Sequence, residues 1–344
     1  MDNLDKRTVP FQSEVKSSVP LASEKVRWAN WRCLIVICSI VWPIWFVCMY
    51  WLDSWNLFVS KGFMSVTMAL GSFIAGATAE GGGAVAFPVM TIIFDISPLI
   101  ARDFSLIIQA VGMNAAAFAI IASRTKVVWP AIITSGLGGS FGVYLGMTYF
   151  SGLLPPGFIK MFFVSFWLGF GFALWMSKRF QKRYITIESM TDVDHVLLFV
   201  VGIVGGIASG LTGSGLDIVI FSVLTLYYRI CPTVATPTSV ILMGNNALMG
   251  VILKTSLING IMTQAIDYWL VCVPIVVIGA PLGALFMKSR SHVFIVNMLI
   301  TIFVIQFVGA LFIIPQNGNT LLFSSAVMGF SIMIYSLLAY YGRQ

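Results

Sequence analysis

Long apolar stretches, separated by short polar segments, occupy most of the chain. We place them at 33–52, 63–79, 84–95, 103–122, 128–150, 158–177, 196–211, 216–228, 236–253, 265–287, 292–314 and 320–340. Most reach the roughly 20 residues that a helix needs to cross a bilayer. Strict alternation of apolar and polar positions, the pattern of a membrane β-barrel, does not occur in them. The pattern therefore predicts an all-α polytopic membrane protein.

Two of these stretches, 84–95 and 216–228, are too short to cross a bilayer comfortably. Each directly follows a glycine-rich polar break, GATAEGGG at 76–83 and GLTGSGLD at 210–217. We interpret each break as a broken helix or the tip of a re-entrant hairpin, whose second arm returns to the side it came from. A short full crossing is the alternative that the pattern leaves open.

The two breaks belong to an internal duplication. With an offset of 134 residues, segments 71–107 and 205–241 are identical at thirteen of 37 positions. The matches include Gly76/Gly210, Thr78/Thr212, Gly81/Gly215, Phe87/Phe221, Thr91/Thr225, Pro98/Pro232, Ala101/Ala235 and Ser105/Ser239. We predict two repeats, at about 62–178 and 195–314, with extra helices at 33–52 and 320–340. Interrupted apolar stretches at corresponding positions of two repeats point to a binding site.

The composition agrees with a membrane protein and argues against an enzyme. Hydrophobic residues make up 58% of the chain and charged residues 10%, whereas a soluble protein carries about 25% charged residues. The five cysteines form no CxxC pair, and the two histidines, His195 and His292, fall near the ends of apolar stretches. We therefore expect no metal site, no cofactor and no catalytic residue.

The distribution of lysine and arginine predicts the topology. If the N-terminus is inside and both hairpins return to the side they entered, only four of the 20 Lys and Arg residues lie outside: Lys61, Arg102, Lys160 and Lys254. We predict that both termini are cytoplasmic and that the protein lies in the cell membrane, inner or plasma. The net charge of +7 then reflects topology, and we expect no nucleic-acid partner.

This topology also predicts that the repeats are inverted, since the first hairpin opens to the outside and the second to the cytoplasm. Two tips would approach the membrane midplane from opposite faces, an arrangement that suits alternating access. Residues 1–30 are polar and lack apolar periodicity, so we expect a disordered cytoplasmic tail. The transmembrane transporter domain would then be 31–344.

The breaks carry the groups that an anion needs. Helices that begin near Gly83 and Gly215 would present unpaired N–H groups to a ligand. We predict a substrate site formed by Thr78, Glu80, Gly81, Gly82, Gly83, Thr212, Gly213, Ser214 and Gly215. Close packing of helices through small residues is the alternative explanation for such glycines.

For several polar residues near the breaks, the sequence leaves two interpretations open. Glu80 and Asp217 are carboxylates at membrane depth, and each either carries a coupling proton or caps the following helix. The amides Gln109, Asn114, Asn245 and Asn246 either complete the pocket or bond neighbouring helices. The adjacent pair Arg102 and Asp103 is either a local ion pair or an anion-attracting charge at the outer mouth.

The duplicated breaks, GATAEGGGAVAFPVM and GLTGSGLDIVIFSVL, with the set of apolar stretches around them, resemble the sulfite exporter TauE/SafE family over roughly residues 60–340. The resemblance implies a membrane transporter, linked to the export of sulfite and of organosulfonates such as sulfoacetate. Glu80 stands where the family's motif often has a small or neutral residue.

We therefore expect a secondary transporter of small sulfur-containing anions, working by alternating access and most simply as an exporter. The nearest alternative is a carrier of small carboxylates or other anions that is coupled to protons, because the same donors serve both kinds of anion. A membrane receptor and an intramembrane enzyme are remote alternatives. The partners expected are the anion and the lipid bilayer, and no oligomeric state follows from the sequence.

Overall fold

The chain is helical throughout the part described by the computed structural model, which covers residues 24–78, 80–151, 153, 155–177, 183–187, 190–258, 260–288, 290–315 and 317–342. The helices there are α1 (Glu24–Trp51), α2 (Leu57–Ala77), α3 (Gly81–Pro88), α4 (Pro98–Ala122), α5 (Trp129–Leu145), α6 (Pro156–Ser177), α7 (Asp192–Thr212), α8 (Leu216–Ser222), α9 (Pro232–Ser256), α10 (Thr263–Met287), α11 (His292–Ile313) and α12 (Gly318–Tyr340). The predicted all-α class is confirmed.

Within the described residues, nine helices are long and apolar enough to cross a membrane: α1, α2, α4, α6, α7, α9, α10, α11 and α12. Their outer surfaces expose large apolar side chains such as Leu70, Ile305 and Phe312. Such a surface suits contact with lipid chains rather than water. The chain is thus a multi-pass membrane protein, as predicted.

The first helix starts earlier than the apolar pattern indicated. It begins at Glu24, inside the segment 1–30 that we assigned to a polar tail. Residues 1–23 of that tail lie outside the described part of the chain.

Both short arms return to the end of the bundle from which their hairpins start. In the first hairpin, the ring of Phe63, near the start of α2, lies 4.1 Å from the ring of Phe94, which follows the second arm. In the second, the hydroxyl of Tyr228, after the second arm, donates to Asp194 at the start of α7 over 2.9 Å. The hairpins are therefore re-entrant, and neither short arm crosses the bundle fully.

The duplication is visible in the element boundaries. Helix α9 starts and ends 134 positions after α4, and each has its proline in the first turn, where the missing N–H costs no hydrogen bond. The second arms α3 and α8 both continue as π-helical segments, Val89–Ile93 and Val223–Tyr227, again 134 positions apart. The same sequence pattern thus builds the same element twice.

The two repeats are joined by an exchange of helices. Helix α5 of the first repeat packs on α7 of the second, and α10 of the second packs on α2 of the first. A Cβ atom added to Gly206 would lie 2.9 Å from the Cα of Gly142, and one added to Gly76 would lie 2.9 Å from the Cα of Ala280. Backbones this close require small residues, so these glycines hold the two repeats together.

Contacts between helix ends agree with the predicted topology. Lys61 pairs with Asp267 at 2.5 Å, and Lys160 with Asp95 at 3.0 Å; all four residues belong to loops or helix ends predicted to be outside. On the side predicted to be cytoplasmic, Lys288 donates to the carbonyl of Ser123 over 2.7 Å. These contacts support the inverted relation of the repeats, which stays a prediction together with the assignment of the cytoplasmic side.

We expect single cysteines to label from opposite sides of the membrane at two positions. In a cysteine-free variant, Ser123→Cys should react only with an impermeant reagent on the cytoplasmic side, and Asn317→Cys only from outside. Labelling of Ser123→Cys from outside in intact cells would contradict the topology. Permeabilised cells, in which both positions should react fully, provide the control.

Candidate functional site

The first break, which the structure describes at Thr78 and residues 80–83, forms a tip in the interior of the bundle that we call tip 1. Thr78 is extended and ends α2, Glu80 precedes α3, and Gly81 opens α3 with a φ of +69°. The hydroxyl of Thr78 donates to the carbonyl of Ile74 over 2.9 Å and accepts from the N–H of Glu80 over 3.3 Å. No side chain among the described residues caps the start of α3.

The second break, residues 212–217, forms tip 2 and is closed by its own side chains. Asp217 accepts from the N–H of Gly215 over 3.0 Å through Oδ1. The hydroxyl of Ser209 accepts from the N–H of Leu216 over 3.0 Å. Thr212 donates to the carbonyls of Ala208 and Ser214, over 3.1 and 2.6 Å. Asp217 therefore acts as a cap, one of the two roles that we had left open for it.

The two tips touch each other. The hydroxyl of Ser214 donates to the carbonyl of Glu80 over 2.9 Å. Gln109 of α4 lies between them, because its Nε2 donates to the carbonyl of Gly213 over 2.8 Å and to that of Ser105 over 2.7 Å. The structure thus brings together Glu80, Gln109, Gly213 and Ser214, which the sequence had placed in one site.

Gly81 lies where tip 1 meets Gln109 and Asp217. A Cβ atom added to Gly81 would lie 2.5 Å from Oε1 of Gln109 and 2.8 Å from Oδ2 of Asp217. Only glycine fits this position, because the φ of +69° is strained for other residues and a Cβ would collide with these two oxygens. This break therefore makes a tight contact with Gln109 and Asp217.

Most of the polar side-chain atoms that lack a hydrogen bond at this contact are acceptors. Glu80, Gln109 and Asp217 are at most 1% exposed. Within the described residues, both carboxylate oxygens of Glu80, Oε1 of Gln109 and Oδ2 of Asp217 have no hydrogen bond of standard geometry, although Gln306 of α11 lies beside Glu80. The hydroxyls of Thr78, Thr212 and Ser214 all donate to carbonyls. The hydroxyl donors of both tips are therefore engaged within the protein.

The three asparagines take different positions. Asn114 donates to the carbonyl of Gly244 over 2.9 Å and so bonds α4 to α9, which is the structural interpretation that we had kept for it. Asn246 is 1% exposed, and neither atom of its amide has a partner among the described residues. Asn245 is exposed on the outer side of α9, so the structure does not bring it to the tips.

Two buried serines carry hydroxyls that are free among the described residues, although we did not choose them from the sequence, and one of them lies beside a tip. Ser105 and Ser239 are fully buried, and neither hydroxyl oxygen has a partner in the described part of the chain. Ser105 lies directly against Gly213, whose added Cβ atom would be 2.5 Å from the Cβ of Ser105. Their signal was their identity at equivalent positions of the duplication.

At the end of the bundle predicted to be outside, Arg102 and Asp103 form part of a buried charge cluster. Arg102 bonds Asp103 at 3.0 Å and Ser151 at 2.8 Å. Lys254 of α9 lies 3.7 Å from the other oxygen of Asp103, which also accepts from the N–H of Met262 over 3.1 Å. The ion pair is local, as the simpler interpretation held, but two cations share one carboxylate and leave a net positive charge.

Comparison with known proteins links this architecture to one family. The family model described as "Sulfite exporter TauE/SafE" matches residues 64–310, which include both hairpins and both tips. The search of curated proteins and the search of solved structures found no match.

We expect Gly81→Ala to destabilise the protein, because alanine at a positive φ costs about 1–2 kcal/mol before any clash and its Cβ would meet Gln109 and Asp217. Gly62→Ala in α2 is the matched control, since no atom lies within 4 Å of its added Cβ. Melting curves of the purified variants test this expectation. An unchanged melting temperature for Gly81→Ala would contradict the geometry described for tip 1.

Proposed function

The chain belongs to the sulfite exporter TauE/SafE family of membrane transporters, and we propose that it is a secondary transporter of small sulfur-containing anions. The substrate is sulfite or an organosulfonate such as sulfoacetate, and the direction is export. Transport proceeds by alternating access around the contact of the two tips. The observation that carries the proposal is the uncapped start of α3 in the interior of the bundle.

The anion binds at the first turn of α3. Backbone N–H groups at a helix start, together with the helix dipole, favour an oxyanion with several acceptor oxygens. Gly81, Gly82 and Gly83 let such an anion approach the backbone closely. Tip 2 uses its own first N–H groups for Asp217 and Ser209, so it supports tip 1 rather than holding the anion itself.

The exchange of helices between the repeats supports the proposal of alternating access. Because α5 packs on α7 and α10 packs on α2, the hairpin of each repeat rests on a helix of the other. A movement of one repeat against the other then moves both tips relative to the anion, while the anion stays near the midplane.

Export agrees with the charges at the cytoplasmic mouth. Arg124, Lys126 and Lys288 are exposed at the end predicted to face the cytoplasm, where positive charges concentrate anions. A monoanion that leaves a cell with a negative interior gains about 2.3 kcal/mol per 100 mV, so export needs no coupled ion.

The second candidate is a carrier of small carboxylates or other anions that is coupled to protons. It is favoured by the two buried carboxylates, Glu80 and Asp217, at the tips, because buried carboxylates at membrane depth often carry protons in transporters. The N–H groups of α3 would accept a carboxylate as well as a sulfonate.

A counterflow assay in proteoliposomes tests the substrate class. Vesicles preloaded with unlabelled sulfite, sulfoacetate, thiosulfate, taurine or acetate should accumulate external labelled sulfite only when the internal anion is a substrate. We expect accumulation with the sulfur oxyanions and none with acetate, and protein-free liposomes serve as the control. Strong exchange with acetate would favour the second candidate, and exchange with no anion would overturn transport by this site.

A larger side chain at tip 1 should weaken binding of the anion. Gly82→Val places a branched side chain at the first turn of α3, and we expect a loss of binding of about tenfold or more, since about 1.4 kcal/mol corresponds to a tenfold change in affinity. Stabilisation of the purified protein by sulfite should fall in parallel. Gly329→Val in α12, where nothing lies within 4 Å of an added Cβ, is the control and should bind sulfite as the parent does. Normal binding by Gly82→Val would place the anion elsewhere.

A further inference from the structure

The contact of the two tips holds a group of acceptor oxygens that we call the acceptor pocket: the carboxylate of Glu80, Oε1 of Gln109 and Oδ2 of Asp217. Oε1 of Gln109 and Oδ2 of Asp217 both face Gly81, at 2.5 and 2.8 Å from the position of an added Cβ. Glu80 is joined to the same contact through its carbonyl, which accepts from the hydroxyl of Ser214 over 2.9 Å. None of the pocket's four oxygens has a hydrogen bond of standard geometry within the described residues.

The orientation of these oxygens follows from the atoms beside them. Nε2 of Gln109 is committed to the carbonyls of Ser105 and Gly213, and turning the amide over would set its oxygen against those two carbonyls. Oδ1 of Asp217 is committed to the N–H of Gly215. Each side chain is thus anchored by one polar atom, and its other oxygen is directed at Gly81.

The charge in the pocket is negative and has no basic partner close by. Glu80 comes from the loop before α3 and Asp217 from α8, whereas α4, α9 and α11 contribute the neutral residues Gln109, Met243 and Gln306. In the described part of the chain, neither carboxylate forms a salt bridge; those observed involve Asp95, Asp103 and Asp267. Arg102 lies two turns from Gln109 along α4 and is bonded to Asp103. Buried carboxylates of this kind are paired with a cation or take up a proton.

We propose that the acceptor pocket binds a sodium ion. One proton would satisfy one pair of oxygens, whereas a small hard cation takes several oxygen ligands at once. Carboxylate and amide oxygens are its preferred ligands, and the described residues contain no cluster of three or more His, Cys, Asp or Glu side chains for a transition metal. Sodium sites at interrupted membrane helices likewise use oxygen ligands, which come there from unwound backbone carbonyls and helix C-terminal ends.

The expected effect of bound sodium on the affinity for the anion rests on the proposed function. The pocket borders Gly81, at the helix start where the anion binds, so an unneutralised Asp217 or Glu80 would repel it. A bound sodium ion removes part of this repulsion. Sodium should therefore raise the affinity for sulfite, and sulfite should raise the affinity for sodium by the same factor.

Thermal unfolding of the purified full-length protein tests the site without any sulfur anion. Sodium chloride is titrated at constant pH, with choline chloride keeping chloride and ionic strength constant. We expect a saturable rise in melting temperature with sodium and a smaller or no rise with potassium. Binding of radioactive sodium should saturate near one ion per chain.

The variants Gln109→Leu and Asp217→Asn each remove one oxygen ligand or its charge, and we expect the sodium affinity to fall about tenfold or more. Asn114→Ala is the matched control, because it removes another amide of α4 that bonds to a carbonyl outside the pocket. It should lower the melting temperature and keep the sodium-dependent rise. Loss of that rise in Asn114→Ala alone, with both pocket variants unaffected, would overturn the assignment.

Two other results would also overturn the sodium site. The first is an equal response of the parent protein to sodium and choline. The second is stabilisation in choline that follows acidification alone, which would assign the pocket to a proton. The unfolding assay contains no sulfur anion. Sodium can therefore fail to stabilise the protein while sulfite counterflow succeeds, or stabilise it while counterflow fails, so the two proposals are tested separately.

Discussion

The backbone of an interrupted helix in a membrane must find its hydrogen-bond partners inside the protein, because the surrounding lipid offers none. This constraint explains the centre of the bundle. The carbonyl of Gly213 in the second repeat is bonded by Gln109 of the first, and the carbonyl of Glu80 in the first is bonded by Ser214 of the second. Each break thus depends on the other repeat. The packing of α5 on α7 and of α10 on α2 joins the two repeats as well.

Close contact between the repeats is a second consequence of the same constraint. A side-chain donor from one repeat reaches a carbonyl of the other only when the helix backbones approach closely, and this requires small residues along α2, α5, α7 and α10. Gly142 faces Gly206, and Gly76 faces Ala280. The glycines of the long helices therefore serve packing, whereas Gly81 and Gly213, both with positive φ, serve the turns themselves.

The duplication has diverged where chemistry is needed. Glu80 corresponds to Ser214 at an offset of 134, and Gly83 corresponds to Asp217. As a result tip 2 is capped by its own carboxylate, while tip 1 has an uncapped helix start and a carboxylate beside it. In the proposed function tip 1 supplies the donors for an anion, and in the proposed sodium site both tips supply acceptors. A pair of identical tips would have provided only one of these environments.

The sequence by itself determined the features that depend on neighbouring residues. Length and hydrophobicity indicated the membrane helices and the glycine-rich breaks located the tips, since both properties are local. The 134-residue offset indicated the repeats, since identity between two segments can be seen in the sequence alone. Which polar atoms remain without a hydrogen bond depends on residues far apart in the chain. Only the tertiary structure therefore specified these atoms. In the tertiary structure Asn246 is buried and Asn245 is exposed on the same helix. The hydroxyls of Thr78 and Thr212 donate to carbonyls of their own helices. The tertiary structure also placed Gln109 between the two tips, because that position is created by the packing of α4 against elements of both repeats.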